Sequence, residues 1–452
     1  MKINNLGKGG ANKLINYVES SKSYAVEPCN SCGLAGGYIG ANMVDDIGVL
    51  IHGSSGCAFA MRYGLAQHWK SFIPITITNL CENNIIFGSE NILEEALYAY
   101  CKSTEKKLII VLSTCSAELI GEDYRSVINS VQENVGKKII YVETGGSGNI
   151  IDGYNRFLFE CARELVKCDG RKKEKKKEEF FIDLCGIVPM FDVFWRGDFA
   201  EIERIFDLLN IHINSFFVGH TNQEIITSMK NSDAIVAMDP GVGRKACKYL
   251  EKHCNIEIIN TYFIPIGFKY TGIFIRRIAK LLGVEEKKVN EAIGIEEERT
   301  KNILLRGYDF TKVMFQSCKV SIIGPHSWAC PMLHFIVNEI GMECNLLCLI
   351  GDENERFDNE IEIILKEANY EKDITIYQGN DNYKIRELIK ESEPNIVFGR
   401  SIDRQKNSNI IYLTWQFPCS DYFLIKDEPI VGYNGIISIV NRIVNALCNS
   451  WY

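Results

Sequence analysis

The sequence predicts an α/β protein with three doubly wound, Rossmann-like domains built on parallel sheets. Short, mostly apolar strand-like runs alternate with helix-like stretches, and this alternation restarts after a charged run at 169–179 and again near residue 318. Strands that are apolar throughout are typical of parallel sheets covered by helices on both faces. We therefore expect domains at 1–168, 180–310 and 311–452, with 169–179 as a solvated linker.

We call each of the three stretches of alternating strands and helices a round, and each round has its own set of predicted strands. The first has GVLIHG (48–53), KLIIVLST (107–114) and KKIIYVET (137–144); the second has FFIDLCG (180–186), INSFFVG (213–219), AIVAMD (234–239) and IEIINT (256–261); the third has CKVSIIG (318–324), CNLLCLIG (344–351), DITIYQG (373–379), NIVFGRS (395–401) and IIYLTW (410–415). Helices are predicted between them, and a helix over YNGIISIVNRIVNALCNS closes the chain.

Composition narrows the class of protein. The 452 residues are 46% hydrophobic and 24% charged, which is typical of a soluble globular protein. A net charge of −8 argues against nonspecific binding to nucleic acid. No apolar run approaches the ~18 residues that a membrane span needs. The N-terminal residues contain no apolar segment of the kind found in secretory signals, so we expect a cytoplasmic protein.

The chain contains seventeen cysteines, an unusually large number. In a cytoplasmic protein they are expected to be free thiols or metal ligands, because disulfides are rare in that compartment. Cys161, Cys168, Cys247 and Cys254 lie on helix-like stretches and are predicted to be buried free thiols.

Three other cysteines are the main candidates for chemistry. Cys32 lies in PCNSCGLAGG, Cys57 in VLIHGSSGCAFAMR and Cys115 in IIVLSTCSAELIGEDY, so the three belong to separate elements. Cys57 and Cys115 each follow a strand-like run, and functional groups of α/β domains collect where strands end. Thiolates from separate loops can hold an iron–sulfur cluster.

Glycines and a histidine accompany these cysteines. Gly53 and Gly56 precede Cys57, and we predict that they bring backbone N–H groups close to a cluster. The same role is predicted for the glycines after Cys32, which are Gly33, Gly36 and Gly37. His52 could orient a cluster ligand or move protons, although a hydrogen-bonded structural role is the commoner one for such a histidine.

Other sites have weaker support. No G-x-x-x-x-G-K-[ST] occurs, so the chain carries no P-loop. Cys29 and Cys32 form a CxxC, but no second pair completes a structural zinc site. His326 and Trp328 are interpreted as a helix cap with ring packing, and Glu122 and Asp123 as acids that favour a helix dipole.

At the cysteine segments the sequence resembles the nitrogenase component 1 family. SCGLAGG, IHGSSGCAFAMRYGLAQHW and STCSAELIGEDYRSVI are similar to the three segments that supply cysteines to the cluster at the subunit interface, and ETGGSGNIIDGYN resembles a further family segment. The resemblance spans nearly the whole chain and implies the nitrogenase component 1 type of three-domain fold.

The ending QFPCSDYFLIKDEPIVGYNG resembles the β-type subunit of that family. In AMDPGVGRKAC, Asp239 stands where an α-type subunit would have a cofactor cysteine, and no histidine lies beyond His334. Because the chain starts close to the first cysteine segment, we expect the longer N-terminal extension of molybdenum-type β subunits to be missing. This favours an alternative nitrogenase, a nitrogenase-like reductase or an assembly scaffold.

By resemblance, Cys32, Cys57 and Cys115 would be this chain's share of an iron–sulfur cluster, either [4Fe-4S] or P-cluster-like [8Fe-7S]. A homologous α-type subunit would complete the cluster, in an α2β2 heterotetramer. Electrons would come from a homodimeric, ATP-hydrolysing iron–sulfur protein and pass to the active site in the α-type partner, which makes the chain an oxidoreductase subunit. The alternative is a scaffold subunit that assembles a nitrogenase-type cofactor. Cys29 remains a rival ligand.

Overall fold

The computed structural model contains three sheets, and all strand pairs within them are parallel. These sheets confirm the parallel α/β fold class and the three predicted rounds of strands. No helix in the described part of the chain combines the length and apolarity needed to cross a membrane. The structure describes residues 15–18, 32–65, 74–146, 148–168, 179–215, 217, 219, 221–306, 308–351, 358–405 and 409–450.

The described residues form fourteen strands. In chain order they are β1 (Ile15–Val18), β2 (Ile47–His52), β3 (Thr76–Ile77), β4 (Leu108–Ser113), β5 (Lys138–Val142), β6 (Phe180–Cys185), β7 (Ile211–Ser215), β8 (Ala234–Ala237), β9 (Glu257–Asn260), β10 (Lys319–Pro325), β11 (Glu343–Ile350), β12 (Ile374–Gln378), β13 (Ile396–Gly399) and β14 (Ile411–Thr414).

The α-helices connect these strands. They are α1 (Gly33–Asn42), α2 (Ser55–Leu65), α3 (Glu82–Phe87), α4 (Glu90–Ser103), α5 (Cys115–Ile120), α6 (Tyr124–Val135), α7 (Ile150–Leu165), α8 (Trp195–Asp207), α9 (Gln223–Ser228), α10 (Arg244–Cys254), α11 (Gly267–Leu282), α12 (Glu286–Leu304), α13 (Tyr308–Gln316), α14 (His326–His334), α15 (Asp358–Glu367), α16 (Asn382–Ser392) and α17 (Gly432–Ser450). Short 3-10 helices cover Met229–Asn231 and Ser401–Asp403, and a π-helix covers Phe335–Ile340.

Among the strands of each round, the order reverses once. The orders are β3-β2-β4-β5, β7-β6-β8-β9 and β1-β12-β11-β10-β13-β14. In each sheet the opening strand of its round (β2, β6 or β10) therefore has later strands on both sides. Ligands of such sheets bind beyond the carboxyl ends of the strands at the point of reversal. The fold thus provides three places where a functional site is expected.

The first sheet shows why these segments fold as they do. All six residues of β2 and of β4 are buried, as expected for strands covered on both faces. Helix α4 packs Leu93 and Leu97 onto this sheet, and α6 packs Ile128 and Val131. The i, i+3 and i, i+4 spacings place each pair on one side of its helix.

The chain forms two compact units. One comprises Pro28–Met190 and Ile211–Asn260 and contains the two four-stranded sheets. The other comprises Met1–Glu27, Phe191–Asn210 and Thr261–Tyr452 and contains the six-stranded sheet. The predicted domain boundaries stay a prediction. The predicted linker lies outside the described residues except for Glu179.

Two strands were not anticipated, and one begins earlier than predicted. β1 is not part of the first round: Ile15 pairs with Ile374 of β12, so this strand extends the six-stranded sheet. β3 has only two residues, too few for a recognisable pattern. β7 starts at Ile211 and ends at Ser215, whereas the aromatic run suggested a strand over 213–219.

The expectation that all these cysteines are free was wrong for one pair. Cys168, just beyond α7, and Cys254, the last residue of α10, form a disulfide with a Cα–Cα distance of 5.2 Å. Packing of α7 against α10 brings the two residues within disulfide range although 86 positions separate them in sequence. Cys161 and Cys247 are buried free thiols, as predicted.

Candidate metal centre

Two of the candidate cysteines follow neighbouring strands of the first sheet. β2 and β4 are paired, with His52 opposite Ser113 at their carboxyl ends. Helix α2 begins at Ser55, just beyond β2, and carries Cys57 in its first turn. Helix α5 begins at Cys115, just beyond β4. Both cysteines therefore lie at the carboxyl edge of the sheet, where the strand order reverses.

Cys32 reaches the same edge through helix packing. It is the N-cap residue of α1, which packs against α7. A Cβ built on the neighbouring Gly33 would lie 2.6 Å from the carbonyl oxygen of Thr144, which follows β5. The Thr144 hydroxyl in turn donates to the carbonyl oxygen of Ser113 at 2.6 Å. The start of α1 therefore lies beside the carboxyl ends of β4 and β5.

The Cys32 thiol lies within electrostatic range of the other two thiols. Burial raises the pKa of the Cys32 thiol, and hydrogen bonds from the backbone of Ala35 and Leu34 oppose this rise. The nearby thiols of Cys115 and Cys57 raise the pKa further. A cluster at this edge would bind the cysteines in their thiolate form.

The spacing of the thiols favours a cluster over a single ion. A tetrahedral ion with metal–sulfur bonds of about 2.3 Å holds its ligand sulfurs roughly 3.8 Å apart. Among the described residues, the one group of three or more such side chains with donor atoms mutually within 4.8 Å lies elsewhere, at His326, Cys330 and Glu360. Thiols on separate elements with wider spacing fit a polynuclear iron–sulfur cluster. Their assignment as ligands stays a prediction.

The glycines after Cys32 have a packing role in the structure, and their role beside a cluster stays a prediction. A Cβ on Gly36 would lie 1.8 Å from the carbonyl oxygen of Ile150, and one on Gly37 would lie 2.4 Å from Cγ2 of Thr144. These glycines therefore allow α1 to approach α7 and the end of β5. They position Cys32 by packing, since the space a side chain would need is filled by the protein itself.

The two glycines before Cys57 differ from each other. A Cβ on Gly53 would lie 2.2 Å from Cγ2 of Thr114, so this glycine permits close packing between the ends of β2 and β4. Around Gly56, by contrast, no heavy atom of the described residues lies within 4 Å of the ideal Cβ position, its chain neighbours and its own helix backbone apart. Of the two, Gly56 is the one whose surroundings leave room for a ligand.

His52 lies fully buried at the end of β2. Its Nδ1 is 3.1 Å from the hydroxyl oxygen of Thr78, and its Nε2 is 3.2 Å from that of Ser89. Burial lowers the pKa of the imidazole to about 4, although the Glu122 carboxylate opposes this shift. The structure thus gives His52 a hydrogen-bonding role inside the domain, and a role beside a cluster stays a prediction.

The partners of His52 belong to a buried network that sequence reasoning missed. The Ser89 hydroxyl donates to Oε2 of Glu122 at 2.5 Å and lies 2.8 Å from the hydroxyl of Tyr124. The sequence predicts only a helix-dipole role for Glu122. Its contact with Ser89 spans 33 positions, so no local pattern indicates it. Asp123 does cap α6, where it accepts from the backbone N–H of Ser126 at 3.2 Å.

One more thiol lies at this edge of the sheet. Cys81 is exposed and is the N-cap residue of α3, which follows β3, the strand paired with β2. Its thiol lies 2.9 Å from the side-chain oxygen of Asn84. The preceding strand is too short to mark the position in the sequence. Cys29, the rival ligand, lies outside the described residues.

Asp239 lies in the loop between β8 and α10 and stabilises a turn there. Its Oδ1 accepts from the backbone N–H groups of Gly241 at 2.7 Å and Val242 at 3.1 Å, in the loop before α10. A side chain bound in this way has a structural role, which agrees with the β-type interpretation of this position.

Large apolar side chains are exposed on the helices that start at this edge. We call them the apolar rim: on α2, α3 and α5 they are Phe59 (73% exposed), Tyr63 (81%), Ile86 (71%), Phe87 (83%) and Leu119 (87%). α3 buries none of its six residues. Exposed apolar groups concentrated in this way are typical of a surface that another protein covers.

Comparison with known proteins identifies one family. The family model for nitrogenase component 1 type oxidoreductases matches residues 32–448. The nitrogenase molybdenum-iron protein beta chain of Methanococcus maripaludis is 24% identical over 97% of both chains. The vanadium-iron protein beta chain of Trichormus variabilis is 25% identical over 95% of both. The molybdenum-iron beta chain of Azotobacter vinelandii is 21% identical over 94% of this chain and 84% of its own.

A solved structure titled "Nitrogenase Cp1 at pH 6.5" has the same fold. Its TM-score is 0.77 at 22% identity, covering 95% of this chain and 94% of that chain. Together with the beta-chain relatives, this match confirms the fold class and the resemblance stated from the sequence. Because the family model spans nearly the whole sequence, this chain belongs to the nitrogenase component 1 type oxidoreductases.

Proposed function

We propose that this chain is the β-type subunit of a nitrogenase-like reductase. In this proposal Cys32, Cys57 and Cys115 hold its share of an iron–sulfur cluster that a homologous α-type chain completes. The main supporting observation is that three cysteines on three separate elements lie at helix starts beside the carboxyl ends of strands in one sheet. The beta-chain relatives support the same proposal.

The protein's own groups suit a negatively charged cluster. Cys32 and Cys57 lie at the N-termini of α1 and α2, where N–H groups and the helix dipole stabilise thiolates. Open space around Gly56 leaves the backbone there accessible. When bound, such a cluster supplies one-electron transfer between donor and acceptor proteins.

The apolar rim supports a partner at this site. A homologous α-type chain seated on the rim would bury its aromatic and aliphatic side chains and exclude water from the thiols. In this proposal a separate iron–sulfur protein hydrolyses ATP and donates the electrons, a division of labour that fits the missing P-loop. The substrate would then be reduced in the α-type chain.

Iron analysis tests the ligand assignment. We expect the anaerobically purified complex with the α-type chain to contain iron and acid-labile sulfide, and Cys57→Ala or Cys115→Ala to remove most of the interface iron. Cys81→Ala is the matched control, since it deletes an exposed helix-capping thiol at the same edge and should leave the iron content unchanged.

Two outcomes would argue against this proposal. Unchanged iron and an unchanged visible spectrum in Cys57→Ala and Cys115→Ala would make these thiols structural. A complex that retains its iron but accepts no electrons from the ATP-hydrolysing protein would instead indicate the assembly scaffold.

A further inference from the structure

A second group of metal-binding side chains lies at the reversal point of the six-stranded sheet. β10 ends at Pro325, and α14 begins at the next residue, His326. In this sheet β10 has β11 on one side and β13 on the other, so His326 lies where the strand order reverses. Cys330 follows one helical turn later, on the same face of α14.

Glu360 of α15 completes the group. Its Oε2 lies 2.8 Å from Nε2 of His326, and the donor atoms of His326, Cys330 and Glu360 all lie within 4.8 Å of one another. The His326 side chain is 10% exposed, and Cys330 is fully buried. A thiol and a carboxylate thus lie close to one imidazole, and of the three side chains that of Glu360 is the most exposed, at 34%.

The surroundings hold this group in place. The hydroxyl of Tyr270, on α11, donates to Oε1 of Glu360 at 3.0 Å and leaves Oε2 directed at His326. Pro331 has no N–H for the helical bond to Ser327, and the Ser327 carbonyl accepts instead from the backbone N–H of Ile264 at 2.8 Å. This bond fixes the first turn of α14.

The helix itself is irregular just beyond the group. α14 continues directly into the π-helix at Phe335–Ile340. Insertions of this kind are frequent near functional sites, since they re-aim the side chains around them. Trp328 packs edge-on against Trp415, with ring centroids 6.2 Å apart, so ring packing accounts for this tryptophan but not for His326 and Cys330.

We propose that His326, Cys330 and Glu360 bind one divalent transition metal ion, Zn²⁺ or Fe²⁺, at a site separate from the three cluster thiols. Imidazole, thiolate and carboxylate are the ligands these ions take, and three protein ligands leave a fourth position open. An ion between His326 and Glu360 needs their donor atoms about 0.5 Å further apart than in this structure. Tyr270 would orient the ligating carboxylate through its hydrogen bond to Oε1 of Glu360.

Cobalt titration tests the proposal on the whole chain. Cys32, Cys57 and Cys115 are first replaced by alanine, and the protein is stripped of metal and kept anaerobic and reduced. Adding Co²⁺ should produce a thiolate-to-cobalt charge-transfer band that saturates near one ion per chain. Cys330→Ala in this background should abolish the band, and His326→Ala should weaken Co²⁺ binding at least tenfold.

Cys348→Ala is the matched control. Cys348 is fully buried in β11 of the same sheet and is no member of the group, so its loss should leave the band unchanged. If Cys330→Ala does not fold, thermal unfolding is measured instead of the cobalt band. Zn²⁺ should then raise the melting temperature of the background protein, and it should not raise that of Glu360→Gln in the same background. A missing band in the background protein, or a band that survives Cys330→Ala, would show an ordinary His326–Glu360 ion pair instead.

Discussion

The imidazole of His52 is held between two hydroxyl groups and is completely buried. Desolvation favours its neutral form and lowers its pKa from about 6.5 to about 4. In the unfolded chain the same imidazole titrates near its usual value. Between these two values the unfolded state binds more protons than the folded state, so acidification favours unfolding.

We expect the free energy of unfolding to fall as the pH is lowered from about 7 to 4, with His52 contributing on the order of 3 kcal/mol of this loss. His52→Gln has no titrating group and should show a correspondingly shallower pH dependence, whatever its stability at pH 7. Urea unfolding of both proteins at several pH values measures the difference. Parallel pH profiles would mean that His52 is not buried in its neutral form.

The contact between α1 and α7 depends on glycine on both sides. Besides Gly36 of α1, Gly153 of α7 leaves no room for a side chain: a Cβ there would lie 1.7 Å from the carbonyl oxygen of Gly33. The clashing atoms are backbone atoms, which cannot rotate away as a flexible side chain could. The start of α1, and with it Cys32, is therefore fixed by this helix pair.

Gly36→Ala should destabilise the chain by at least about 2 kcal/mol, because the new methyl group would overlap the carbonyl oxygen of Ile150. Gly294→Ala, at an exposed position of α12 with nothing within 4 Å, is the matched control and should change stability by about 1 kcal/mol or less, in the stabilising direction. Chemical denaturation compares the two. Equal stability of both variants would contradict the close packing of α1.

Local patterns predicted most of these elements. α4 coincides with the predicted run ENILEEALYAYCKS, and β4 lies inside the predicted KLIIVLST, since both have a clear period or a continuous apolar run. β1 could not be predicted, because its partner β12 lies far away in sequence. The spacing of Cys32 from Cys57 likewise carried no information on how α1 reaches the edge of the sheet, which depends on α7.

Exposed apolar side chains are concentrated on three helices that start at the carboxyl edge of the first sheet. The apolar rim lies on α2 and α5, which carry Cys57 and Cys115, and on α3. A protein that worked alone would expose these groups to water at a considerable free-energy cost. The sequence identified the thiols but not the rim, because exposure of Phe87 or Leu119 depends on which helix faces are left uncovered.

Leu119→Glu should weaken association with the α-type chain at least tenfold, since it would place a carboxylate in a buried interface. Ile425→Glu is the control: Ile425 is 91% exposed and belongs to the other compact unit. Quantitative co-purification or analytical ultracentrifugation measures both. Equal association of the two variants would place the partner elsewhere.

The chain passes between its two compact units four times, at residues 27–28, 190–191, 210–211 and 260–261. Neither unit is therefore a continuous piece of the gene product. A polypeptide ending in the charged run at 169–179 would carry β1 without β12, its hydrogen-bonding neighbour. During synthesis, the first strand to leave the ribosome must wait for more than three hundred further residues before its partner exists. Separate expression of the part after this run would leave the β12 edge of the six-stranded sheet open, because β1 would be missing.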